Sequence, residues 1–327
     1  MNRNQRTAFL LVAALVCTGA AFAASLAVGR YPIDWAGLWQ GGMSARVFFT
    51  LRLPRTAMAL LTGVGLGLAG SVYQTVFRNP LAAPDILGVA GGASVGAAAA
   101  ILWLGGGVLC TALCAFCGGF AAVLAALALA ALSRRSGIFG VVLAGIAVNA
   151  VTEAALMLLK LSADPDRQLA AIEFWTMGSF AHVTAAQLLG ILPAVLAGLA
   201  GLCVLHRPIG LLAQGDEQAR MLGVPVGLVR TLALLLATLV VGSLVSVTGL
   251  VAFIGLLAPH IARLLAGSDR FSTTVLAGLC GGALLLAADV LARSISGAEV
   301  PVSVVTSLLG APFLFWLMCR REARYAE

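Results

Sequence analysis

Apolar runs follow one another along almost the whole chain. They cover roughly 7–28, 56–77, 87–105, 108–132, 138–159, 184–205, 228–246, 249–266, 273–293 and 301–319. A helix that crosses the hydrocarbon core of a bilayer needs about 20 apolar residues, so the pattern predicts about ten spans. The expected fold is an all-α integral membrane protein, with residues 1–327 forming one transmembrane domain. The stretch 228–266 sets the parity. It is too long for one span and barely enough for two, and Ser243, Ser246, Thr248 and Gly249 interrupt it. A tight hairpin of two short helices fits, with Arg230 and Arg263 on the same side.

The first run also has the look of a signal peptide. Met1–Arg6 is basic, Phe9–Val16 is apolar, and Ala21-Phe22-Ala23 resembles a cleavage site. The apolar stretch continues to Val28, which favours a retained span.

Composition agrees. Apolar residues make up 61% of the chain and charged residues 10%, with 38 glycines, and mean hydropathy is +1.04. A soluble domain carries about 25% charged residues. A soluble globular protein, a disordered chain and a disulfide scaffold are therefore excluded. Many of the glycines suit close helix packing in lipid, Gly63, Gly65, Gly67 and Gly70 in the second run among them.

The net charge is +7. Its basic residues are scattered between apolar runs, which is a topology pattern rather than a nucleic-acid track. Ten spans with the N-terminus inside put 13 of the 20 basic residues inside and 7 outside. That is the sign of the positive-inside rule, and it predicts two cytoplasmic termini. Lys160 is the only lysine and Leu161 follows it, so no phosphate-binding Gly-Lys-Ser/Thr motif exists. Cys110, Cys114 and Cys117 share a helical face without a histidine or carboxylate nearby, and small apolar side chains are the better reading than a metal site. The three histidines form no ligand motif, and no nucleophile–base arrangement stands out. No catalytic residue, metal or cofactor is expected.

Several polar features remain. Gly215-Asp216-Glu217-Gln218-Ala219-Arg220-Met221-Leu222-Gly223-Val224-Pro225 predicts one short cytoplasmic helix, capped by Asp216 and closed by Gly223 in the left-handed conformation. Met221 and Leu222 would be apolar at a cytoplasmic surface. A docking partner and a helix resting on the membrane both fit. The segment Arg78-Asn79-Pro80-Leu81-Ala82-Ala83-Pro84-Asp85-Ile86-Leu87-Gly88 carries two prolines at a membrane boundary. Its backbone must be buried in protein or line a cavity, as a gate or as a rigid turn. Arg52, Arg55 and Arg293 lie on the outer side against the positive-inside bias. Lipid headgroups or an acidic partner would explain them, and Arg293 could instead pair with Asp289 four residues earlier. Asn149 and Glu153 share a face within a span. They could line a path or form an interhelical hydrogen-bond pair. The outer loop 161–183 mixes charges with aromatics and predicts a helix at the interface.

Six ordered segments resemble one family. They are Arg52-Leu-Pro-Arg55, Asn79-Pro-Leu-Ala-Ala-Pro-Asp-Ile-Leu-Gly88, Phe174-Trp-Thr-Met-Gly-Ser179, Gly215-Asp-Glu…Leu222-Gly223, Gly255-Leu-Leu-Ala-Pro-His260 and Glu299-Val-Pro-Val…Gly310-Ala-Pro312. From about Trp35 to Trp316 the chain is similar to FecCD-type permeases. These are membrane subunits of bacterial ATP-binding-cassette importers for iron–siderophore complexes, haem and vitamin B12. The resemblance implies the vitamin B12 permease-like, type II importer fold, in the bacterial inner membrane. It implies a second permease subunit (homodimer or paralogue heterodimer), cytoplasmic ATPase subunits and an extracytoplasmic substrate-binding protein. It assigns Arg52, Arg55 and Arg293 to binding-protein docking. It assigns Asp216, Glu217, Ala219, Arg220, Leu222 and Gly223 to ATPase coupling, and Asn79, Pro80 and Leu81 to a cytoplasmic gate. Asn149 and Glu153 are pathway candidates from chemistry alone. Iron–siderophore complexes lead as cargo, with haem or cobalamin as alternatives. A rival from another class, an ion-coupled secondary transporter, would need intramembrane carboxylates, and Glu153 with Asp289 is a thin supply.

Overall fold

The computed structural model describes residues 3–29, 31–35, 37–40, 42–133, 137–267, 271–295 and 299–322. Every regular element among the described residues is helical. In chain order they are α1 (Arg3–Ala27), α2 (Met43–Arg46), α3 (Leu53–Val76), α4 (Val89–Trp103), α5 (Val108–Leu132), α6 (Ile138–Leu161), α7 (Gln168–Met177), α8 (Ala185–Val204), α9 (His206–Leu212), α10 (Asp216–Met221), α11 (Val226–Thr248), α12 (Ile254–Ala266), α13 (Phe271–Ser294) and α14 (Val302–Glu322).

Each predicted apolar run contains one of α1, α3, α4, α5, α6, α8, α11, α12, α13 and α14. Among the described residues seven helical stretches are long and apolar enough to cross a membrane unaided, and Val89–Trp103, Ile254–Ala266 and Val302–Trp316 are shorter. Arginines 30, 134, 135, 270 and 324, counted in the charge asymmetry, lie outside the described residues.

The remaining helices are connectors. A single π-type segment, Val47–Arg52, joins α2 to α3. The interfacial helix expected in 161–183 is α7. It buries Ile172, and its Glu173 pairs with Lys160 at the end of α6, 2.8 Å away.

Helix α3 is the axis of the fold, with α11, α12 and α13 packed around it. Its glycines explain the approach. A Cβ added at Gly63 would strike the backbone of Gly281, and one at Gly67 the carbonyl of Ala277. Backbone therefore meets backbone between α3 and α13. A second pair repeats the device, with Gly92 and Gly96 of α4 set against Gly118 and Cys114 of α5. In lipid no hydrophobic force drives helices together, so such close packing supplies the contact energy.

The outward faces of α1, α5, α6 and α8 carry exposed aliphatic and aromatic side chains. Phe9, Val16, Leu113, Ile146, Met157 and Leu189 are examples. In water such a surface would be untenable; against acyl chains or a second subunit it is not.

Candidate functional site

The candidate residues gather at three levels along α3. At its C-terminal end stands α10. Gly215 precedes it at φ +123° and Gly223 follows at φ +79°, so the predicted left-handed glycine closes the helix. Asp216 does not cap it. Its carboxylate instead lies 2.8 Å from the Arg230 guanidinium through both oxygens and 3.2 Å from Arg78. Arg230 is only 6% exposed. Two arginines outcompete the backbone amides for this carboxylate, because a charge-assisted pair is the stronger bond. Glu217, Arg220, Met221 and Leu222 face outward, with Met221 82% and Leu222 61% exposed. Ala219 is fully buried. It packs inward and presents nothing to a partner.

Arg78 links this helix to the Asn-Pro-Leu turn. It sits at φ +50°, one of two non-glycine residues with positive φ among the described residues. The next residue, Asn79, closes the turn on itself, its Oδ1 accepting the Leu81 amide at 2.9 Å. Leu81 is exposed. A cleft bounded by Arg78, Phe139, Gly215 and Asp216 separates the turn, the start of α6 and α10.

Deeper in the bundle, two segments give up helical structure. Pro84–Leu87 forms a single 3-10 turn before α4, and residues 249–253 are irregular before α12. Irregular backbone at membrane depth must find partners inside the protein. Asn149 of α6 supplies one set, donating to the Asp85 carbonyl at 2.8 Å and to that of Ile86 at 3.4 Å. Ser303 of α14 supplies another. Its hydroxyl donates to the Leu250 carbonyl at 2.7 Å and accepts the Ala252 amide at 3.3 Å. The Ser179 amide donates to the Thr248 carbonyl at 2.8 Å, and Gln74 of α3 donates to the Leu256 carbonyl at 3.2 Å. Asn149 and Glu153 do not bond to each other: Asn149 turns to the 3-10 segment, while Glu153 is exposed on α6.

The three arginines expected on the outer side, Arg52, Arg55 and Arg293, are all turned into the chain. Arg52, 5% exposed, donates to the carbonyls of Leu26 and Ala27 at 2.9 Å and also to that of Tyr31. It thereby serves the unpaired carbonyls and negative dipole end of α1. Arg55 lies 2.8 Å from Asp289 and 2.6 Å from Glu299. Arg293, 8% exposed, donates to the carbonyl and hydroxyl of Ser25 at 2.7 and 2.8 Å. The expected Asp289–Arg293 pair is present at 3.5 Å, but Asp289 is held more closely by Arg55. Two carboxylates thus face two guanidiniums, and the cluster is close to neutral. This arrangement joins α1, α3, α13 and the segment before α14.

Asp289, Glu299, Arg78, Arg230 and Ser303 complete these sites; the i,i+4 spacing pointed to Asp289–Arg293 alone, and no spacing marks the other contacts. Their partners are 14 to 244 residues away, so only the fold brings them together.

Residues 15–320 match the FecCD transport family. The chain is 37% identical to the vitamin B12 import system permease protein BtuC of Klebsiella pneumoniae over 99% of this chain and 96% of that protein. It is 36% identical to the cobalamin import system permease protein BtuC of Halobacterium salinarum over 84% of this chain and 74% of that protein. A solved structure described as an inward-facing conformation of a metal-chelate type ABC transporter superposes with a TM-score of 0.86. It is 32% identical and the match covers 95% of this chain and 98% of that one. The PsaBC structure from Streptococcus pneumoniae shares the fold at a TM-score of 0.55 and 14% identity, over 86% of this chain and 92% of that one. The helical architecture, the ordered motifs and these matches agree: the chain belongs to the FecCD transport family and is a membrane-spanning permease of an ATP-binding-cassette importer.

Proposed function

We propose that this permease imports cobalamin or a closely related corrinoid by alternating access, driven by ATPase subunits that dock on α10. The single observation that carries the mechanism is the Arg78–Asp216–Arg230 cluster. It ties α10 to the start of α11 and to the residue that opens the Asn79-Pro80-Leu81 turn. A push on Met221 and Leu222 therefore reaches the turn through one carboxylate, with no long relay. Ala219 supports the helix from inside, Glu217 and Arg220 border its outer face, and Gly223 ends it.

In this reading the α10 end is cytoplasmic, as are both termini, and the bilayer is the bacterial inner membrane. A second permease subunit completes the pathway, with Glu153 on the face of α6 toward it. Asn149 braces the gate segment from the same helix. A substrate-binding protein docks at the opposite end of α3. There Arg55 is the docking arginine with the most access, and Arg52 and Arg293 brace that surface from inside. Energy comes from the partner ATPase. An ion-coupled mechanism is poorly served, because of the two span carboxylates it would draw on, Asp289 and Glu153, Asp289 is committed to two arginines.

The cobalamin assignment rests on relatives named as vitamin B12 and cobalamin permeases. The neighbour described as a metal-chelate type transporter supports a second reading, an iron–siderophore complex or haem. The decisive experiment reconstitutes the permease with its ATPase and binding protein in liposomes. ATP-dependent accumulation of radiolabelled cyanocobalamin, uncompeted by ferric siderophores or haem, is expected. Accumulation of a ferric siderophore or haem with no cobalamin uptake would replace the cargo. Uptake that ignores ATP and follows a proton gradient would overturn the mechanism.

A further inference from the structure

Between α3, α8, α9 and α13 lies an apolar slot of about 240 Å³. Along α3 its wall runs from Val64 to Thr75, which at 1.5 Å per residue is about 16 Å along the helix. Leu68 of α3, Leu202 of α8 and Val275 and Leu279 of α13 line it. Helices α8 and α13 flank α3 on either side and barely touch each other. The hydroxyls in the wall are already engaged, Thr75 with the Ser71 carbonyl and Thr274 with the Ser71 hydroxyl. Water would find few free partners there. Left empty, the slot would deprive its lining of the contacts that close packing supplies.

One end of the slot differs. His206 lines it and lies against Phe271, with ring centroids 4.6 Å apart and planes inclined by 47°. The next residue, Arg207, is exposed and makes no ion pair among the described residues. A long apolar groove whose end residue, His206, is followed by an exposed cation matches one molecule abundant at this depth, an anionic phospholipid. We propose that the slot holds one acyl chain of such a lipid, with its phosphate against Arg207. The assignment depends on the protein spanning a bilayer and not on the cargo or on the coupling route.

The test uses fluorescence quenching in liposomes by phospholipids brominated on the acyl chain. Phe271→Trp puts an indole at the mouth, Leu279→Trp puts one deeper, and Leu196→Trp reports ordinary lipid on the exposed face of α8. Brominated phosphatidylglycerol should quench the slot tryptophans at concentrations about fivefold lower than brominated phosphatidylcholine, the preference one arginine near a membrane surface confers. Leu196→Trp should show no preference, and adding Arg207→Gln should abolish it at the slot. Equal quenching by both lipids at all three positions would overturn the proposal. So would slot tryptophans that neither lipid reaches. Two slot positions are used so that misfolding of one variant leaves the other to decide.

Discussion

The carboxylate of Asp216 holds the guanidinium of Arg230 through two contacts of 2.8 Å, and Arg78 shares it from the side of the Asn79-Pro80-Leu81 turn. Asp216→Asn keeps the shape and removes the charge. A hydrogen bond to a charged group contributes about 1.5–3 kcal/mol, or roughly tenfold or more in an equilibrium. Substrate accumulation should fall by about that factor while ATP hydrolysis by the assembled transporter continues. Arg78→Gln should uncouple similarly with little loss of stability, because its pair is largely exposed. Paired uptake and ATPase assays on the same liposomes would read both. Equal loss of the two activities would mean that the cluster only holds the fold.

The exposed face of α10 gives a second prediction. Met221→Glu with Leu222→Glu should abolish co-purification of the ATPase subunits while the permease still inserts. Ala219→Leu should act differently. It overpacks a fully buried position at a cost of about 1–3 kcal/mol, lowering the unfolding temperature in detergent whether or not the ATPase is present.

Much of this was legible in the sequence, and the misses share a cause. The spans were readable because lipid demands apolar length. The turn before α4 was announced by Pro80 and Pro84; the beginning of α12 was not, since the irregular backbone at 249–253 is built from equally apolar residues. Hydropathy does not report hydrogen bonding, so the carbonyls held by Asn149 and Ser303 were invisible. The short helix from Asp216 and its closing Gly223 were foreseen from local chemistry. The destination of the Asp216 carboxylate was not, because Arg230 reaches it only once α11 has folded back. The outer arginines were expected to meet partners. Whether a guanidinium points outward or inward depends on its acceptors: the i,i+4 spacing offered Asp289 to Arg293, but no spacing reveals Ser25 as its partner or Asp289 as the partner of Arg55.

The outer cluster should dominate stability at its end of the bundle. Asp289→Asn leaves Arg55 and Arg293 without their shared counter-charge in a site where Asp289 is 1% exposed. Breaking a buried pair from one side costs about 3–5 kcal/mol. Thermal unfolding in detergent should therefore rank Asp289→Asn well below Glu299→Gln, whose carboxylate is 31% exposed.

Asn149→Leu removes the donor to the Asp85 and Ile86 carbonyls. Losing such a partly exposed hydrogen bond costs about 0.5–1.5 kcal/mol, and the loss falls on the segment leading into α4. In an Ile86→Cys background, labelling by a membrane-impermeant thiol reagent should speed up when Asn149→Leu is added. An unchanged rate would show that the 3-10 turn holds itself.

Where Gly63 meets Gly281 there is no side chain to act as a bearing. Two helices seated peptide on peptide can neither slide nor roll without a collision, so α3 and α13 travel as one beam through the transport cycle. Shape change is then left to the short helices and unwound stretches hung from that beam, which is where hinge-seeking labels should be placed first.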